Sequence, residues 1–289
     1  MSAGSAQSGP RLAAPYRHYS LKLTPLLNDS YLATGLALKA RIAGGGTLNL
    51  LLDSGAEDLI LPRRTAGRLG LRPESSVDVV GFGASIRPTT RLAPARLETG
   101  GLALDDCPVL ATDQPMREGV DGVVPMAFFA SFLLRLDIPA KLLDLDPYPT
   151  GKSGDAADFV AARADRNTLF LPSQMDGRLA YLMLDTGAGV SGVSPRTASA
   201  WRNYAARSRN ISLAGGAGRV AGLLLPEGVT FRVGGQMLAA DPAAVVDLSG
   251  ISIAHRFEIS GVIGFPALRR SVVTVNYRDA LVRLAKSGR

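Results

Sequence analysis

The sequence predicts a mostly β chain made of two homologous lobes with short helices, and three observations carry that expectation. The first is a tripeptide, Asp-[Ser/Thr]-Gly, that twice ends an apolar run. LNLLLDSGA holds Asp53, Ser54, Gly55 and Ala56, and AYLMLDTGA holds Asp185, Thr186, Gly187 and Ala188. The second is that the similarity extends beyond the tripeptide. The same offset of 132 (185 − 53) lays Arg64-Thr65-Ala66 over Arg196-Thr197-Ala198. An offset of 139 (261 − 122) lays GVVPMAFFASFLLRLDIPAKLLDL, from Gly122, over GVIGFPALRRSVVTVNYRDALVRL, from Gly261. Self-similarity at long period marks a duplicated unit, and the change of offset is an insertion that a surface loop absorbs cheaply. The third is local: LNLLL, DVVGF, AYLML, VTFRV and SVVTVNY are aliphatic or β-branched runs bounded by Gly, Pro, Asp or Asn, the signature of short strands.

Taken in chain order, residues 1–15 are rich in Ser, Ala, Gly and Pro and are expected to be disordered. Residues 16–146 form the first lobe. The apolar rhythm lapses in PYPTGKSGDAADFVAARADRN, so residues 147–167 read as the interlobe linker, and residues 168–289 form the second lobe. Helices are expected in RRTAGRL and RTASAWRNYAA, after the two Asp loops, and as short turns near Pro125–Ser131 and Pro266–Arg270. Two glycine-rich stretches, VVGFGAS with Gly81, Phe82 and Gly83, and SLAGGAG with Gly215 and Gly216, follow the two Asp motifs at matching distances. They read as hairpin turns.

Composition narrows the function further. The net charge of +7 comes from arginines spread along the whole chain of 289 residues, with pairs at Arg63–Arg64 and Arg269–Arg270. No dense basic stripe is interleaved with aromatics, so no nucleic acid is expected as a partner. A single cysteine, Cys107, excludes an internal disulfide. With only His18 and His255 beside it, the usual zinc sites are not expected, nor is any other metal or cofactor. No apolar run reaches the length of a membrane span. No secretory signal is visible, although a removed one would leave the same picture, so the compartment stays open, with export expected if a signal was cleaved. GAGRVA formally fits a dinucleotide fingerprint, but strand-like VAGLLLPEGVTF follows it instead of a helix. TGKS lacks the first glycine of a P-loop, and GVSGV only approaches a nucleophile elbow.

The residues that remain are two carboxylates at strand ends, one in each repeat. This pattern resembles the pepsin and retropepsin aspartic peptidases. The Asp motif, the downstream glycine hairpin and an apolar-apolar-Gly element before a short helix recur in both halves, and LLDSGAED is similar to the retroviral form of the motif. The resemblance implies two acid-protease-type β-barrel lobes with a cleft between them. It also implies catalytic Asp53 and Asp185 sharing a proton and a water, and an extended peptide or protein substrate. Ser54 and Thr186 would tie the two loops together, and Gly55 and Gly187 would let backbone approach the carboxylates. The hairpins at Gly81–Gly83 and Gly215–Gly216 would act as flaps, with Glu57 and Asp58 near substrate. Because both loops are on one chain, a monomer is expected.

Two departures from the pattern stand out. Pro125 replaces the glycine that Gly264 keeps in GVIG, so geometry near Asp53 is expected to differ. Gly189-Val190 stands where the first lobe has Glu57-Asp58, so the cleft should be asymmetric. A peptide-binding module without turnover and a structural protein of duplicated β-domains are the competing readings. The second of these predicts that Asp53 and Asp185 do not meet.

Overall fold

The computed structural model describes residues 9–30, 32–83, 86–149, 158–175, 177–201, 203–215 and 218–288. Among them the strands form two sheets, of fourteen and ten strands. Alternation along each strand decides which side chains enter the core. Tyr19–Leu27 buries Tyr19, Leu21, Leu23 and Leu26 while the residues between them are largely exposed, as the pleat requires. Phe129, Phe132, Phe231 and Phe265 are almost wholly buried, and the main apolar cluster runs without a break from one half of the chain to the other.

The repeat read from the sequence is visible as a local twofold. In each half the strand that ends in Asp lies parallel to the glycine-led strand downstream: Thr47–Asp53 beside Gly122–Pro125, and Arg178–Asp185 beside Gly261–Gly264. The strand that follows the Asp loop, Leu59–Pro62 or Ser191–Val193, returns on the other side of that same strand, antiparallel to it. The two halves then meet through Leu133–Asp137 and Ser271–Asn276, where Leu134 faces Val275 and Leu136 faces Val273. Residues equivalent under the repeat exchange places in this register, which is what a twofold axis between the strands produces. The C-terminal strand Leu281–Lys286 pairs outside Ser271–Asn276, so both last strands of the chain belong to the first sheet.

Several expectations are corrected by local chemistry. RTASAWRNYAA does not form one helix. Pro195–Ala198 makes a single turn capped by Ser194 Oγ, Asn203 then takes φ of 56°, and Ala205–Arg207 is a short 3-10 helix. A helix that the sequence did not suggest spans Ser249–His255. Within the first fifteen residues Arg11–Leu12 pairs with Asp105 and Leu104, and the Arg11 guanidinium reaches both Asp105 and Asp106. Strands Val160–Ala161 and Arg163–Asp165 lie inside the segment 147–167. No helix of the described residues is long and apolar enough to cross a membrane.

Candidate active site

Each Asp is aimed by the apolar strand that precedes it. Leu52 and Leu184 are almost fully buried, which fixes the strand ends and leaves the next residue of each strand at the interface between the halves. There the two loops lock reciprocally. Ser54 Oγ donates to Leu184 O at 2.8 Å and accepts from Thr186 N–H at 3.0 Å. Thr186 Oγ1 donates to Leu52 O at 2.8 Å and accepts from Ser54 N–H at 3.1 Å. Four buried hydrogen bonds from two hydroxyls therefore cross the interface, each side satisfying the backbone of the other.

The carboxyls of Asp53 and Asp185 are brought together, each standing against the glycine of the opposite loop. Gly55 N–H donates to Asp53 Oδ1 at 2.6 Å, while Gly187 N–H and Ala188 N–H donate to Asp185 Oδ1 at 3.0 and 2.8 Å. The glycines are needed for this approach. A Cβ on Gly55 would stand 2.9 Å from Asp185 Cγ, and one on Gly187 would overlap the Asp53 carboxyl. Burial raises both carboxyl pKa values above the ordinary range, and the neighbouring Asp53 pushes Asp185 higher still, against the opposing pull of the backbone N–H groups. Two carboxyls this close retain one proton between them at a pH where separate ones would both be ionised. Ala56 and Ala188 contribute backbone N–H groups but carry no hydroxyl, so the pair lacks that extra donor on either side.

Pro125 is accommodated. It takes φ −62° and ψ 131° where Gly264 takes −83° and 172°, both extended. The side-chain acceptor that the equivalent amide uses is missing from the first half. Gly264 N–H donates to Ser191 Oγ at 3.0 Å, and the position equivalent to Ser191 in the first half is Leu59.

Glu57 and Asp58 have structural partners. Asp58 pairs with Arg91 at 3.2 Å, both little exposed. Glu57 lies 4.0 Å from Arg166, which follows strand Arg163–Asp165 of the second sheet, and burial raises its pKa against the pull of that guanidinium. Arg166 also donates to Ala254 O, and its neighbour Asp165 holds His255 Nδ1 at 2.7 Å. Sequence reasoning gave no sign of this cluster. Across the cleft Gly189-Val190 offers no carboxylate, so the two ends of the site differ in charge.

The glycine hairpins reach over the same region. Pro73–Val80 and Ile86–Thr99 form the first, and Gly81, Phe82 and Gly83 lie in its turn. Gly83 N–H donates to Asp247 O at 2.8 Å, and Phe82 packs on the apolar cluster around Met183, Val246 and Ile251 of the second half. In the second hairpin, Arg209–Gly215 with Gly218–Leu225, Gly215 stands against the Phe82 ring and Gly218 against Arg87. Gly216 lies outside the described residues. The first hairpin rests on helix Ser249–His255, where a Cβ on Gly250 would overlap Gly83 O. Gly250→Val is expected to unseat this turn without unfolding the molecule, since glycine is itself a poor helix former. Faster hydrogen exchange at residues 79–83, with a raised KM for peptide, is the outcome that checks it. Unchanged exchange would show that the contact carries no weight.

Residues 38–128, which include the first Asp loop and Pro125, match the family model described as aspartyl protease. A crystal structure of aspartic proteinase from Irpex lacteus is similar over 94% of this chain and 98% of its own, with a TM-score of 0.58 at 14% sequence identity. No curated protein sequence matches the chain. The chain therefore has the bilobal acid-protease fold, with the aspartyl protease family match falling in its first lobe.

Proposed function

We propose that the protein is a monomeric aspartic endopeptidase in which Asp53 and Asp185 activate a water against a peptide bond, with lobes at 16–146 and 168–289 joined by 147–167. The observation that carries this is the buried pair of neighbouring carboxyls held by the reciprocal Ser54–Thr186 lock. A binding module needs neither the buried carboxyls nor the bonds that hold them face to face. In the proposed reaction the ionised member of the pair takes a proton from the water as its oxygen adds to the carbonyl carbon. The protonated member donates to the carbonyl oxygen, and collapse of the tetrahedral species delivers a proton to the departing nitrogen. Gly81, Phe82 and Gly83 with Gly215 cover an extended substrate, whose side chains meet Glu57 at one end of the cleft.

Incubation with a peptide library, with sequencing of new termini, tests the reading. Internal cleavages lost on substitution of either Asp support it. Tight peptide binding without cleavage by the unsubstituted protein would favour the module reading instead.

The pH profile follows from the same geometry. Burial and mutual repulsion raise the pair's pKa values, and no hydroxyl at position 56 or 188 pulls them down. The acid limb should therefore sit higher than for a dyad with such donors, giving a bell centred at mildly acidic to near-neutral pH. Ala56→Ser with Ala188→Thr adds a donor to each ionised form and should move the acid limb of kcat/KM to lower pH. A strongly acidic optimum in the unsubstituted protein, or no shift in the double variant, would count against the argument.

A further inference from the structure

Arg269 and Arg270 have no place in the peptidase site. They line a groove of about 530 Å³ between strand Gln236–Ala240 and the C-terminal strand Leu281–Lys286, and no dyad or flap residue takes part in its wall. Both strands turn an open edge toward it. Among the described residues Gln236–Ala240 is the last strand of its sheet and pairs only with Val229–Val233. The two-residue turn Gly234–Gly235 makes Val233 and Gln236 the bonded closing pair, so Met237 and Ala239 direct their N–H and C=O groups outward. Both residues are exposed, and among the described residues nothing pairs with those groups.

On the facing side, Leu281–Lys286 pairs along its whole length with Ser271–Asn276, but its other edge meets a strand only at Leu281 and Val282. That partner, Val160–Ala161, enters the lane from one end, with Val160 2.8 Å from where a Cβ on Gly234 would stand. Phe159 lies under the Arg283 guanidinium, and among the described residues no strand pairs with this edge beyond Val282.

Charge selects the occupant. Arg269, Arg270 and Lys286 are exposed, and among the described residues no Asp or Glu lines the groove. Among the described residues none of the three cations forms an ion pair. Cations beside an open edge discourage pairing with a second, equally basic copy, and they attract an acidic chain. We propose that this groove takes an extended, acidic segment of a partner protein as an added β-strand, with backbone bonds from the open edges and carboxylates met by Arg269, Arg270 and Lys286.

The test uses the full chain carrying Asp53→Asn, to spare the probe from cleavage, and a fluorescent peptide alternating Glu with Val. Combined Arg269→Glu, Arg270→Glu and Lys286→Glu should weaken binding by at least about tenfold. Methylating alternate backbone nitrogens of the peptide should weaken it comparably while leaving its charge and the protein unchanged. Equal affinity in the charge-reversed protein would place the peptide elsewhere, the peptidase cleft included, and overturn the proposal. Undiminished binding of the methylated peptide would overturn strand addition. Tighter binding of an RNA or DNA oligonucleotide, or self-association lost on charge reversal, would assign the groove to nucleic acid or to a second copy.

Discussion

Asp53→Asn and Asp185→Asn are each expected to lower kcat/KM for peptide hydrolysis by on the order of 10³-fold or more, with the fold retained. An amide oxygen can still accept the loop N–H groups that now reach Asp53 and Asp185, and its NH₂ can donate to the remaining carboxylate much as the shared proton does. What is lost is a site that can exchange that proton. The same substitutions should stabilise the protein at neutral pH. Both folded-state pKa values are raised, so the folded form holds protons that the unfolded chain has released. Stability then falls as pH rises from the unfolded carboxyl pKa through the folded one. An asparagine removes that dependence. Thermal melts at about pH 4 and pH 7 should show Asp185→Asn gaining Tm relative to the unsubstituted protein only at the higher pH. Activity within tenfold of the unsubstituted enzyme would sink the catalytic assignment, and a Tm gain equal at both pH values would sink the linkage.

Thr186→Val should destabilise the protein by about 2–5 kcal/mol. Valine keeps the shape, but the substitution leaves Ser54 N–H without an acceptor and Leu52 O without a donor, both buried at the interface between the lobes. Ser54→Ala removes the mirror-image pair of bonds and should cost a similar amount. Because the two hydroxyls brace one another, the double variant should lose less than the sum of the singles. Urea unfolding of all three proteins decides it. Strict additivity would mean that the two loops are held independently.

The parts of this architecture written in contiguous residues could be read in advance. Asp53 and Asp185 stand out because an apolar strand end and a tight glycine turn are adjacent in sequence, and the repeat supplies the second copy. The glycine hairpin at 81–83 could be placed because it follows the Asp at nearly the same distance as its counterpart, 28 residues (81 − 53) against 30 (215 − 185). Helix Ser249–His255 could not. Gly250, Ile251 and Ile253 disfavour helix, and the segment is held by tertiary contacts instead: Ile251 in the core, His255 on Asp165, and the first hairpin seated on Gly250. The Glu57–Arg166 cluster was hidden for a related reason, since its members come from separate stretches of chain and meet only when the lobes close. Pro125 looked disruptive by residue type, yet Leu59 had already removed the partner its missing amide would have used.

The pairing of Ser271–Asn276 with Leu133–Asp137 bears on how the duplicated halves can still be treated as units. A fragment ending near residue 146 would keep Asp53 but expose the whole hydrogen-bonding edge of Leu133–Asp137, and the complementary fragment would carry two orphaned C-terminal strands. Neither piece is a miniature of the whole. Co-expressed, the two should find each other through that edge and restore one molecule. Alone, each should precipitate or recruit a second copy of itself, which makes Ser271–Asn276 a segment that must be present before the first half can close its edge.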